Sequence, residues 1–324
     1  MKRLLRDLSV LMLVSLLAFG LDRLGFYAAL AGRLLPTVRA LADAAETWEA
    51  ESAPYVPPAA PEMPEVTPAP TPEVLPAPSP VLSFSTPRVR NSGTLPVDAR
   101  ALLREGWDHT LPPEGPQILI YHTHSCEAYT PSGGDDYEPS GDYRTLEASQ
   151  SVIAVGDALA EKLEAAGFTV LHCREVFDYP EYNGAYDRSG ARVLALLEEN
   201  PTLRVVIDLH RDSLGGKRTE YVTPDGADSA QVMLLLTTGE NGLYHPNWRE
   251  NLKLGLEVQS ELEGSYDGLA RPLSLSPARY NQQLSPGAFL VEVGTEANTL
   301  REAKKAAELF GDCLAQALLR HVDD

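Results

Sequence analysis

The chain reads as an α/β protein, with a mostly parallel sheet covered by helices on both faces. Two observations predict it. Apolar runs of strand length recur between residues 117 and 293, and segments with helical spacing of apolar residues fill the gaps. Such alternation favours parallel pairing, because a parallel connection needs a crossover and a helix supplies it. The strands are QILIY (117–121), FTVLH (168–172), RVVIDL (204–209), QVMLLL (231–236) and AFLVEV (288–293). After the first, Val152, Val155, Leu159, Leu163 and Ala166 form an i, i+3, i+4 stripe, and Gly167 is placed to end that helix. Further helices fit ARVLALLEEN before Pro201, WRENLKLGLEVQSELE, and the closing NTLREAKKAAELFGDCLAQALLRHV. No internal repeat is visible.

Ahead of this zone the composition changes twice. MKRLLRD leads into fourteen apolar or small residues, LSVLMLVSLLAFGL, ended by Asp22 and Arg23. That is shorter than the ~20 residues that span a bilayer. No small-x-small cleavage site follows directly, and the apolar character continues at 25–38, so residues 1–40 read as an uncleaved signal anchor, with a cleaved signal peptide as the alternative. The basic tip places the rest of the chain on the extracytoplasmic side. Residues 53–80 hold eleven prolines, several acids and no lysine or arginine. Fixed φ angles and missing donors make this an extended, semi-rigid spacer. The expected organisation is therefore an anchor over 1–40, an acidic proline-rich linker over 41–96 and a globular domain over 97–324.

A formal net charge of -19 excludes an ordinary nucleic-acid binder, which needs a basic surface. Cys126, Cys173 and Cys313 lack CxxC spacing, so neither a disulfide framework nor a cysteine zinc site is indicated. Cys126 reads as a filler residue, with a ligand or reactive thiol as the alternative.

Function is expected beyond the carboxyl ends of the strands. QILIY leads to His122 and His124, RVVIDL leads to His210, and AFLVEV contains Glu292. Imidazole and carboxylate are zinc donors, and a catalytic zinc takes three protein ligands. His124 and His210 are the first two. The third is Glu147, at the start of the next helix, or Glu127, closer in sequence. Glu292, an acid in an apolar strand, fits the proton-transferring carboxylate. Asp208 and Asp212 flank His210 as groups that could orient its ring. The loops at 131–143 and 212–230, rich in Gly, Asp and Ser, together with Arg279, Asn281 and Gln282, are candidates for contact with substrate.

Taken in order, YHTHSCEAY, RTLEASQSVIAVGDAL, VVIDLHRDS and RYNQQLSPGAFLVEVGTEANTLREA, behind an apolar N-terminus and a proline-rich spacer, resemble the stage II sporulation protein P family over roughly residues 115–318. The resemblance implies a phosphorylase/hydrolase-like domain of the zinc-dependent N-acetylmuramoyl-L-alanine amidase type. It implies Zn2+ held by His124, Glu147 and His210, with Glu292 catalytic; His122, Glu127 and Asp212 remain alternative ligands or supports. Related sequences tend to carry Asp where this one has Glu147. The implied substrate is peptidoglycan, cut between N-acetylmuramic acid and L-alanine, with cross-link cleavage as an associated activity. The implied partners are sporulation proteins D and M during engulfment of the forespore, and the implied location is the mother-cell membrane facing the septum. Other readings are a zinc carboxypeptidase or other wall peptidase, and an anchored wall-binding scaffold.

Overall fold

The computed structural model describes residues 86–134, 136–240 and 242–322. The expected anchor, and the linker up to residue 85, lie outside the described residues. Among the described residues no helix is long and apolar enough to cross a membrane.

The core element is a seven-stranded sheet of β1 (Val89–Asn91), β2 (Ile118–Tyr121), β5 (Val170–His172), β6 (Val205–Asp212), β9 (Val232–Thr237), β10 (Leu273–Ser276) and β11 (Ala288–Thr295). Two hairpins stand apart from it: β3 (Pro139–Gly141) with β4 (Arg144–Thr145), and β7 (Tyr221–Val222) with β8 (Asp228–Ser229). The order in the main sheet is β1-β10-β9-β11-β6-β2-β5. Every neighbouring pair is parallel except β9 and β11. The sheet is thus two parallel halves joined back to back at one antiparallel seam. The expected mostly parallel sheet is present. Its domain begins earlier than residue 97, because Val89–Asn91 pairs with Leu273–Leu275 and forms the edge of the sheet.

The helices are α1 (Ala99–Glu105), α2 (Val152–Ala165), α3 (Ala185–Glu199), α4 (Trp248–Ser265) and α5 (Leu300–Leu318). Gly167, φ +97°, follows α2 as expected. Thr299 and Glu302 close a capping box at the start of α5, so its first N–H groups are satisfied before the apolar face begins.

The helices are divided unequally between the faces. Ile118, Ile120, Val205, Ile207, Leu209, Phe289 and Val291 face a large apolar cluster built with α2, α4 and α5. There Phe289 meets Phe310 of α5 edge to face, with ring centres 6.5 Å apart. Alternate residues point the other way. Leu119, Tyr121, Val206 and Ala288 join a smaller cluster with Val193 and Leu196 of α3. Because strand side chains alternate with period two, each strand serves both faces, and only the small one has room left over.

Candidate active site

His210 and Glu292 are direct partners across the β6–β11 ladder. Their side chains therefore stand side by side on one face, and Asp208, two residues before His210, shares it. The parity is that of Val206 and Ala288, so this is the thinly covered face. Burial pushes the Glu292 carboxyl up to about 8, against the pull of His210 and with help from Glu127, Asp212 and Asp208. One of its oxygens is sealed from solvent and has no partner. Among the described residues no arginine pairs with it: the Arg211 guanidinium is spent on the carbonyls of Ala128 (3.0 Å) and Tyr143 (3.2 Å).

The turn after β2 is pinned to β6 by Asp208, whose carboxylate accepts from the Thr123 N–H (2.8 Å) and hydroxyl (2.7 Å). This turn sends its two histidines to different places. His122 is buried on the heavily packed face. Its Nδ1 donates to the Leu209 carbonyl (2.8 Å), and its Nε2 meets Nε2 of His172 (2.8 Å), which in turn reaches Asp157 (2.9 Å). Burial, then the neighbouring His172, lowers its pKa to about 3. With both ring nitrogens committed, His122 is a structural residue and not a ligand. Gly156 of α2 lies against the pair, where a Cβ would stand 2.7 Å from His172 and 2.8 Å from His122.

His124 goes to the open face. Its ring lies 5.4 Å from that of His210, nearly perpendicular to it. Its Nδ1 is buried without a hydrogen-bond partner, with Asp178 at 3.6 Å. Tyr182 stacks on the ring at 4.5 Å and 4°. Its hydroxyl is 3.1 Å from Nε2, but parallel planes put that oxygen above the ring, so the contact is stacking and not an in-plane hydrogen bond.

Glu127 completes the group. Its N–H bonds to the His124 carbonyl in the same turn (3.0 Å). Its carboxylate lies 3.4 Å from Nδ1 of His210 and accepts from the Arg211 N–H (3.1 Å). Burial opposes that charge, yet His210, Arg211 and His124 hold its pKa below the ordinary carboxylate range. On its other side His210 Nε2 is 2.8 Å from Asp208, close but off the hydrogen-bond direction. Burial disfavours a charged His210; Asp208 first and then Glu127 outweigh it and raise the pKa well above its usual value.

Glu147 is not brought to this group. It is exposed, caps a short 3-10 turn at 148–150 that intervenes before α2, and accepts from the Glu138 N–H (2.7 Å). The His124–Glu127 spacing of three is the sequence signal for the carboxylate that does reach the site. Asp212 turns away to Arg271 (2.7 Å). Gln282 is buried and bound to Thr237 and the Leu235 carbonyl, and Asn281 is tied to Tyr186 and Ser189 of α3. Both are structural. Arg279 is half-buried, with its carbonyl accepting from Thr237 (3.1 Å). Burial, then Asp178, pushes the Cys126 thiol up to about 12, which suits a filler residue. Asp178 itself was not legible in the sequence. It lies under His124 and binds Arg144, Ser125 and the Cys126 N–H.

Among the described residues no three His, Cys, Asp or Glu side chains are already drawn together as a metal cage. The donor set nonetheless fits a zinc ion. The His124 ring lies 5.4 Å from that of His210, whose Nδ1 is 3.4 Å from the Glu127 carboxylate, so two imidazoles and a carboxylate, the donor types zinc takes, come to one place. Asp208 lies on the other side of the His210 ring, 2.8 Å from Nε2, where it would support a ring that held an ion through Nδ1.

The family model for stage II sporulation protein P matches residues 81–315. The chain belongs to the stage II sporulation protein P family. The curated stage II sporulation protein P of Bacillus subtilis (strain 168) is 30% identical over 210 residues, 61% of this chain and 50% of the relative. The chain thus spans about half the length of that relative. Among solved structures, the N-acetylmuramoyl-L-alanine amidase AmiC2 of Nostoc punctiforme is 16% identical, with 63% of this chain and 96% of that chain covered and a TM-score of 0.38. The catalytic domain of the CD27L endolysin targeting Clostridia difficile is also 16% identical, with 64% and 99% covered and a TM-score of 0.40. At that level of likeness nothing about the site carries over.

Proposed function

We propose that this member of the family is a zinc-dependent peptidoglycan hydrolase, an N-acetylmuramoyl-L-alanine amidase acting during sporulation. The observation that carries the reading is the unpaired Glu292 carboxyl beside His210, facing the group of His124 and Glu127. His124, Glu127 and His210 would hold the ion. A bound zinc supplies Lewis acidity and lowers the pKa of water to about 7. Glu292, beside His210 on the same face, would take the proton of the attacking water and pass it to the departing amine of L-alanine. Asp208 holds the His210 ring in place through that transfer, and the Tyr182 ring limits access to one side of His124. On this reading the N-terminal segment anchors the chain, the proline-rich spacer extends the domain toward the wall outside the membrane, and sporulation proteins D and M are its partners.

The test is the purified full chain incubated with peptidoglycan, with products resolved by mass, as native protein, after chelation and as Glu292→Gln. Stem peptides with a free L-alanine amine, lost in both controls, establish the amidase. A free terminal amino acid would instead assign a carboxypeptidase. Cleavage that survives chelation would remove zinc from the scheme.

A further inference from the structure

Just past Glu292, the segment Thr295–Asn298 grips the chain at two other points. In one direction its backbone holds the end of the turn that bears His124 and Glu127. The Thr130 N–H donates to the Asn298 carbonyl and the Thr130 hydroxyl to the Glu296 carbonyl, both at 2.9 Å. In the other direction its side chains hold the loop that leaves β6 three residues after His210. The buried Glu296 carboxylate accepts from the N–H groups of Leu214 (3.0 Å) and Gly216 (2.6 Å). Thr295 donates to the Lys217 carbonyl (2.8 Å), and Asn298 both accepts from and donates to Thr219. Gly215 and Gly216, at φ +66° and +80°, allow the turn that aims two amides at one carboxylate.

Such an investment in a surface loop needs a reason. A loop free of function would solvate its own amides, whereas here a carboxylate is taken out of water to fix them. The loop starts at the end of β6, three residues after His210 and beside Glu292 of β11, and it is exposed from Ser213 to Arg218. Arg218 is engaged by Glu302 (3.1 Å) and Glu220 (3.2 Å). The exposed Lys217 forms no ion pair among the described residues, although its backbone is held.

From this arrangement we infer that the 213–219 loop, clamped by Glu296, is a wall of the substrate groove, and that Lys217 reads a free carboxylate on the peptide limb of the substrate. The inference rests on the hydrolase reading above. Glu296 is a positioning residue and Lys217 a specificity residue.

Two measurements on the full chain test the two halves separately. The clamp is read without substrate, by trypsin cleavage after Lys217 and Arg218. Glu296→Gln should speed it several-fold at unchanged global melting temperature, and an unchanged rate overturns the clamp. The wall is read with two soluble muropeptides, one with free stem-peptide carboxylates and one with them amidated. Lys217→Gln should raise KM for the first about tenfold, the worth of one charge-assisted hydrogen bond, with kcat held. It should leave the amidated muropeptide unaffected, and Glu296→Gln should follow the same pattern more weakly. Equal losses on both muropeptides, or none on either, overturn the assignment of Lys217. A parent chain that cleaves neither sinks the hydrolase reading and the role of Lys217 with it, while the trypsin result still decides whether Glu296 holds the loop.

Discussion

The two faces of one sheet are built to different ends. On one, α2, α4 and α5 lie over a continuous apolar layer that leaves no place for a substrate. On the other, α3 covers a small cluster, and beyond it the same strands turn out Asp208, His210 and Glu292. Strand alternation means that both faces are written in the same few residues: in VVIDLHRD, one set of positions packs and the other works. A fold can therefore leave its site imperfectly satisfied because the opposite face supplies the stability.

Substitutions on the two faces should separate these roles. The largest effect is expected on the open face: Glu292→Gln should lower the rate of peptide release by about 10²–10⁴-fold, the usual worth of a general acid or base. It should leave the melting temperature unchanged or raised, because a buried acid without a partner is replaced by a neutral amide. A large fall in stability would mean that the carboxyl holds the fold together. On the packed face, Phe310→Ala should cost about 3–5 kcal/mol in denaturant unfolding, with the rate per folded molecule unchanged. An equal loss of rate would erase the distinction between the faces. Gly156→Ala should cost about 1–3 kcal/mol through the crowding of His122 and His172. If it lowers the rate as well, strain on the packed side crosses the sheet.

The smallest effect concerns pH and lies at the far end of β9, away from the site. Burial, then the charge of Arg279, lowers the His245 pKa to about 4. The unfolded chain takes up this proton near pH 6.5 and the folded chain does not until about 4. Stability is then fully present above about 6.5, falls as the pH drops toward 4, and this contribution is flat below. Unfolding measured across that window should show a shallower slope in His245→Gln, and an unchanged slope would mean that His245 is not held neutral.

Much of this could be read in the sequence, and the failures share a cause. The five apolar runs correspond to β2, β5, β6, β9 and β11, but β6 extends through His210 to Asp212, because its last three residues are polar and look like the start of a loop. The edge strand VRN and its neighbour LSLS are short and rich in polar residues, and carry little apolar signal. The reversed direction of β9 is not written in its own residues. It goes with the absence of a helix between β6 and β9: a strand that runs back against β6, with β11 between the two, needs no crossover. In the candidate site, the closeness of His124, His210 and Glu292 follows from their places at strand ends, which the sequence shows. Glu147 was not distinguishable from Glu127, because the choice depends on a hairpin and a 3-10 turn that push Glu147 outward. His122 and Gln282 carry polar groups whose partners, His172 and Thr237, are distant in sequence.

The reversed strand has one more result. Because β6 and β9 run in opposite directions, the nineteen residues between them, 213–231, leave the sheet and return to it at the same end, beside Glu292. Nothing in that excursion has to cross the body of the protein. It is a cassette with both ends on one border, so its length and sequence can change without moving a strand. Relatives could carry another such cassette on the same border while keeping the sheet beneath it intact.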